Sequence, residues 1–232
     1  MMRSNLFIGL LGCLFFQTSF AQEKKDSLFL RLNLKFKTET LQGNRKYVSE
    51  SKDTLEIEVL RFYISNINFQ YSDASIFSEP NSYHLIDIEN PNSLRIPIAK
   101  TLDKVISKVT FSIGVDSLAS VSGAMSGDLD PTKGMYWAWQ SGFINMKIEG
   151  KSSSCKSRNS VFQFHIGGYM KPNYALRTIE LNPINSNLEI DVDVAEIFKY
   201  IKLSENNSIM IPGSKAMELA DKAVGMFSIN SN

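Results

Sequence analysis

Period-two alternation of apolar and polar residues is the feature that most restricts the fold of this chain. In the run from Leu28 to Lys37, apolar side chains at every second position fall on one face of an extended strand. Similar short runs recur between breaks rich in Gly, Pro, Asn and Ser. They cover residues 55–71 (two strands, with a break near Ser65 and Asn66), 84–88, 94–98, 105–115, 136–149, 160–166, 177–181 and 188–194. The pattern predicts an all-β fold.

Helical patterns are confined to the C-terminal part of the chain. Residues 193–201 predict two helical turns, and residues 213–223 predict a short helix with Ser214 as its N-cap. We find no internal repeat and no domain linker. The sequence therefore predicts one domain over residues 22–232, a single antiparallel β-sandwich with one or two short helices near the C-terminus.

The N-terminus has the pattern of a cleavable secretory signal peptide over residues 1–21. Arg3 precedes an apolar run from Leu6 to Phe16, which is shorter than the roughly 20 residues that span a bilayer. Small residues then lead to a predicted cleavage after Ala21. An alternative is a lipoprotein box ending at Cys13, although the apolar run continues beyond that cysteine. We predict a periplasmic or secreted protein with no integral membrane segment after cleavage.

Charge and cysteine content exclude several classes of protein. The chain has 25 basic and 24 acidic residues, and loss of Arg3 with the signal leaves the mature chain neutral. This balance gives no electrostatic basis for binding nucleic acid. If Cys13 leaves with the signal, Cys155 has no disulfide partner, and its polar surroundings predict an exposed loop thiol.

Two segments stand out as candidates for a binding site. In residues 135–139, strand spacing predicts that Met135, Trp137 and Trp139 share one face, and the simplest interpretation is that they fill a core. In residues 161–169, Phe162, Phe164 and Ile166 alternate with Gln163 and His165. A single histidine is more often structural, but histidine is also the commonest metal ligand.

Familiar catalytic motifs are absent from the sequence. It contains no Cys-x-x-Cys, no His-Glu-x-x-His, no Gly-x-Ser-x-Gly elbow and no P-loop. We therefore expect a protein that is not an enzyme.

The Trp-x-Trp block followed by Phe-His-x-Gly resembles the MbnP-like family of copper-binding periplasmic proteins that are associated with methanobactin. Further matching segments lie in order along the chain, at residues 62–67, 85–87, 111–116, 129–131, 135–143, 164–168 and 216–227. The resemblance implies an all-β domain that binds copper, as Cu(I) or Cu(II), through histidine imidazoles and a kynurenine made by oxidising a tryptophan.

Carried over to this chain, the resemblance implies a set of candidate ligands. His165 is the firmest, Trp137 or Trp139 is the modified residue, and His84 is the other histidine that could complete a two-histidine site. Some relatives have a histidine where this chain has Trp139, and the soft thioether of Met135 could compensate. A periplasmic dihaem enzyme is the implied oxidant of the tryptophan.

A second hypothesis is a metal-free β-sandwich module that binds a sugar, a peptide or a protein partner through its aromatic face. In that role the tryptophans stay chemically intact.

Overall fold

The computed structural model describes residues 28–98, 104–123, 125–140, 142–184 and 186–230. The signal segment 1–21, including Cys13, lies outside the described residues. Strands dominate the rest, so the prediction of an all-β fold is confirmed. The strands are β1 (Leu28–Phe36), β2 (Glu39–Thr40), β3 (Lys46–Val48), β4 (Thr54–Tyr71), β5 (Ile76–Ser78), β6 (Tyr83–Asp87), β7 (Arg95–Ile98), β8 (Ile106–Ile113), β9 (Tyr136–Trp137), β10 (Gly142–Ser152), β11 (Val161–Gly167), β12 (Tyr169–Met170), β13 (Asn173–Tyr174), β14 (Arg177–Leu181), β15 (Glu189–Asp193), β16 (Ser208–Ile209) and β17 (Phe227–Ile229).

The strands form two main sheets. In the small sheet, β1 pairs with β15, β2 and β7, and β15 pairs with β17. In the large sheet the main order is β14-β8-β4-β10-β11-β16, with β3, β5 and β6 on the other edge of β4 and β9 beside β10. β12 and β13 make a separate hairpin. The expected purely antiparallel arrangement is inexact, because β1 pairs in parallel with β15 and β11 with β16.

The central strand β4 is one strand where the sequence pattern predicts two. A left-handed residue, Asn66, with φ of 52°, lies at the predicted break, and pairing with β8 shifts between Ser65 and Asn68. An irregularity of this kind bends a strand without ending it. The N-terminal half of β4 therefore pairs with β10, and its C-terminal half with β8.

In the described part of the chain, three α-helices accompany the sheets: α1 (Ser117–Ser122), α2 (Ala195–Phe198) and α3 (Ser214–Ala223). The two C-terminal helices were expected, although the N-cap of α3 is Gly213 and not Ser214. The pattern did not predict α1, which begins where the Asp116 carboxylate accepts a hydrogen bond from the Ala119 amide at 3.0 Å. None of the described helices has the length and apolar character to cross a membrane.

The large sheet has an inner face that packs against the small sheet and an outer face that points away from it. The inner face supplies Phe62, Ile148 and Phe164 to the main core, where Leu32 of β1 and Phe198 of α2 also lie. Alternation along each strand sends the intervening residues to the outer face.

An additional apolar cluster covers one part of the outer face. Tyr63 of β4 and Leu85 of β6 contribute from the sheet, and the segment between β8 and β10 packs over them. We call this the outer cluster; its buried members are Tyr63, Leu85, Val115, Ala119, Leu129, Met135, Trp137, Phe143 and Ile144. The rest of the outer face carries polar side chains, among them the residues of the candidate site.

Candidate metal centre

His165 lies on β11, on the outer face of the large sheet. It pairs with Lys147 of β10, which pairs with Arg61 of β4, which in turn pairs with Asp87 of β6. These four residues form one row across the sheet. The neighbours of His165 along the chain, Phe164 and Ile166, are buried in the main core. The predicted division of this segment between a core face and a polar face is confirmed.

The imidazole of His165 is held by a carboxylate. Its Nε2 atom lies 2.6 Å from Oε1 of Glu149, and the His165 side chain is 8% exposed. The amide of Gln163 and the ammonium of Lys147 also approach that oxygen, at 3.5 and 3.7 Å. The hydrogen bond with His165 is the largest cause of a lowered pKa of Glu149, and Lys147 adds to it. Glu149 is therefore an ionised acceptor that fixes the ring.

Trp137 lies on the same face, beside His165 along β11. Gly167 is two residues after His165 and so points to the same side of the strand. A Cβ atom at Gly167 would come within 2.7 Å of Cζ3 and 2.8 Å of Cη2 of the Trp137 ring. The indole thus occupies the space that a side chain would need, and glycine is the residue that lets it approach the backbone.

The two tryptophans are close together but differ in burial. After Trp137 the chain leaves β9 in a turn, so the single strand predicted over residues 136–149 is wrong. Trp137 is 6% exposed and belongs to the outer cluster, whereas Trp139 is 63% exposed. Their ring centroids are 5.9 Å apart, with planes inclined by 49°.

Met135 is fully buried inside the outer cluster. Its carbonyl accepts a hydrogen bond from the Ile144 amide at 2.8 Å, which holds this segment against β10. The core interpretation of Met135 and Trp137 therefore agrees with their burial.

His84 lies on β6 opposite Ile64 of β4, on the inner face at the margin of the core. Its Nε2 atom is 2.9 and 3.1 Å from the two carboxylate oxygens of Glu79. Burial raises the pKa of Glu79, but hydrogen bonds from His84 and Ser82 outweigh that effect and leave it lowered. His165 and His84 are thus on opposite faces of one sheet, and the structure does not bring them together. The role of His84 as a ligand stays a prediction.

The structure locates no conventional multi-ligand centre. Across the described residues, no group of three or more His, Cys, Asp or Glu side chains is placed to hold a metal ion. Cys155 is buried against the main core, which corrects the expected exposed loop thiol, and burial is the main cause of its raised pKa.

Met210 is a candidate that the sequence pattern did not indicate. β16 lies parallel to β11 at the edge of the sheet, with Gln163 opposite Ser208 and Phe164 opposite Ile209. The recorded pairing ends at Ile209, and Met210 follows β16 directly in the chain. A two-residue strand is too short to show a period, and this is why the pattern missed it.

Comparison with known proteins identifies the family. The model of the MbnP family matches residues 25–211. This chain belongs to the MbnP family. Among solved structures, MbnP from Methylosinus trichosporium superposes with a TM-score of 0.59 at 12% sequence identity, over 78% of this chain and 80% of that one. No curated protein sequence matches.

Membership of the MbnP family confirms the resemblance seen in the sequence. At 12% identity, the structural match shows a shared fold and carries no assignment of individual residues. The MbnP region includes His84, Trp137, His165 and Met210, and it ends before α3. The tail 216–227, which contributed to the sequence resemblance, lies outside the matched region.

Proposed function

We propose that this MbnP-family chain is an exported, non-enzymatic copper-binding protein of the periplasm that acts in methanobactin-linked copper handling. The observation that carries the proposal is the setting of His165. A nearly buried imidazole is fixed by Glu149 on the face where the Trp137 ring lies against Gly167. Imidazole is a common copper ligand.

Trp137 is the tryptophan that we propose as the oxidised residue of the site. An intact indole N–H donates a hydrogen bond and has no lone pair for a metal. Kynurenine, by contrast, carries an aromatic amine and a ketone. Trp137 lies on the face of His165, and Trp139, with its exposed ring 5.9 Å away, lies at the rim. The oxidant in this proposal is a dihaem partner enzyme of the same compartment.

The decisive experiment uses protein purified from its own periplasm and Cu(I) under reducing conditions. We expect wild type to retain about one equivalent and His165→Ala to lose at least about a hundredfold in affinity, equivalent to about 2.8 kcal/mol. His84→Ala is the matched control and should bind as wild type does. Wild type that retains no copper, or His165→Ala that binds like wild type, would overturn the proposal.

The same preparation tests the tryptophan chemistry and the export signal. Mass spectrometry of the peptide that contains residues 135–143 should show kynurenine at Trp137. The N-terminal peptide should begin at Gln22, the residue after the predicted cleavage site. A lipidated N-terminus at Cys13 would place the protein on a membrane instead.

A second candidate function rests on the exposure of Trp139. Met170 and Tyr174 of the β12–β13 hairpin are also well exposed, at 57% and 39%. Such aromatic surfaces bind sugars or peptides without metal. Intact tryptophans together with carbohydrate or peptide binding in the absence of copper would favour this module over the copper protein.

A further inference from the structure

We propose that two copies of this chain associate through the free edge of β14, so that the large sheet continues from one copy into the other. The association is independent of the copper function, because β14 lies at the opposite end of the sheet from β11 and β16. Three features lead to it: the direction of the β14 backbone groups, a contrast with the edge at β6, and the register in which β14 can pair with itself.

The backbone groups of Thr178 and Glu180 point away from the sheet. The Gly114 amide donates to the Tyr63 carbonyl at 2.9 Å, so even-numbered residues at this end of β8 turn their backbone groups toward β4. Backbone direction alternates along a strand, so the odd-numbered residues of β8 bond to β14. Their partners are Arg177, Ile179 and Leu181. The amides and carbonyls of Thr178 and Glu180, which lie between them, therefore face outward, and both residues are exposed.

The edge at β14 is open, whereas the edge at β6 is capped. Within the described part of the chain, no group bonds to the outward backbone groups of β14. On β6, by contrast, the Leu85 amide donates to Oδ2 of Asp128 at 2.9 Å. The Asp87 amide donates to the Ser93 hydroxyl, also at 2.9 Å. An edge with unpaired backbone groups is a template for another strand, so β14 can accept one where β6 cannot.

β14 is complementary to itself in one antiparallel register. A two-fold axis at Ile179 pairs Thr178 of each copy with Glu180 of the other, and each such pair exchanges two backbone hydrogen bonds. A shift in one direction would place the two Glu180 carboxylates opposite each other, which is unfavourable. A shift in the other direction would bring Glu180 to Leu176, whose carbonyl already accepts from the Arg177 guanidinium at 3.0 Å.

The charge and the ends of the edge also favour a second copy as the partner. The chain carries a net charge of +1, and a net charge far from zero is what keeps many proteins apart. Antiparallel pairing brings the C-terminal end of β14 in one copy beside the N-terminal end in the other. Ile184 follows the first end and Tyr174 precedes the second, and these apolar side chains are 64% and 39% exposed. Pairing would shield both.

The first test is the oligomeric state of the mature chain. Sedimentation velocity over a range of concentrations should show a monomer–dimer equilibrium for wild type. Thr178→Pro removes an N–H that makes no bond within the sheet, as proline on an edge strand can. It should weaken the dimer at least about tenfold, because a hydrogen bond and its symmetry mate are lost. Thr178→Val keeps the N–H, and this matched control should dimerise as wild type does.

The second test reads the edge amides of wild type and needs no variant. In hydrogen exchange followed by NMR, the amides of Thr178 and Glu180 should be protected in concentrated protein and lose that protection on dilution. The amides of Arg177 and Ile179, which bond to β8, should stay protected at both concentrations.

A third test addresses the register. Directly opposed residues in a hydrogen-bonded pair lie about 5.5 Å apart, within the range of a disulfide. Chains with Thr178→Cys mixed with chains with Glu180→Cys should therefore cross-link faster than either chain does with itself. Cys155 is buried and should not compete. Cross-links that form as readily between identical chains would contradict the pairing of Thr178 with Glu180.

Several results would overturn the dimer. A chain that is monomeric at every concentration would do so, as would a dimer that Thr178→Pro leaves unchanged. A dimer in which the Thr178 and Glu180 amides exchange freely would place the contact elsewhere. Protection of these amides by a periplasmic extract, and not by the concentration of the chain itself, would assign the edge to another protein and exclude self-pairing.

Discussion

The two histidines of this chain are held in the same way but in different places. In each case the Nε2 atom of the ring lies within hydrogen-bond distance of a glutamate carboxylate. The partner of His165 is Glu149, and the partner of His84 is Glu79. His84 lies on the inner face, where Glu79 also accepts from the Ser82 hydroxyl and Ser82 in turn accepts from the Ile67 amide. That network ties the β5–β6 turn to β4. His165 lies on the outer face between an indole and the edge of the sheet.

The comparison shows that the same imidazole–carboxylate contact occurs in two different surroundings. The two surroundings differ in the residues that share the face of the sheet with each histidine. Around His84 the neighbouring groups already hydrogen-bond to one another, whereas beside His165 the Trp137 ring packs against Gly167 on the same face. The three predictions below test this difference.

The largest effect is expected from Gly167→Ala. A Cβ at this position would meet the Trp137 ring at 2.7 Å and the carbonyl oxygen of Phe143 at 2.8 Å. Overpacking of this kind costs about 1–3 kcal/mol, and we expect the upper end because one of the contacts is backbone. Urea unfolding should show the loss, and copper affinity should fall with it. Gly43→Ala, which meets nothing within 4 Å, is the control and should change neither.

Removal of each imidazole should have a smaller and unequal effect on the free energy of unfolding. His84→Ala leaves Glu79, whose side chain is 11% exposed, with Ser82 as its remaining side-chain hydrogen-bond partner, and should cost about 1–3 kcal/mol. His165→Ala leaves Glu149 near Lys147 and Gln163 and should cost about 1 kcal/mol. Equal losses in urea unfolding at pH 7 would contradict this distinction.

The smallest effect concerns acid stability. Both glutamates have pKa values lowered from the usual 4.5, so each adds stability above that value and loses it as the pH falls through its folded pKa. The stability that Glu79→Gln and Glu149→Gln lose relative to wild type should therefore become smaller as the pH drops from about 5 to 3. Thermal unfolding across that range measures it, and a difference that stays constant with pH would refute the contribution of these carboxylates.

The sequence predicts the sheet better than it predicts the site. Alternation is a local property, so the outward placement of Gln163 and His165 could be deduced from the apolar residues between them. The parallel pairs β1–β15 and β11–β16 join segments that are distant along the chain, and no local pattern encodes them. For the same reason the sequence pattern did not indicate Met210. The pattern also did not predict the turn after Trp137, and therefore it did not predict the difference in burial between the two tryptophans.

Phe164 and Ile166 anchor the strand that carries His165 in the main core, and Glu149 orients the imidazole ring. A ligand that binds this imidazole would meet a ring that is already ordered, so little conformational entropy would be lost there.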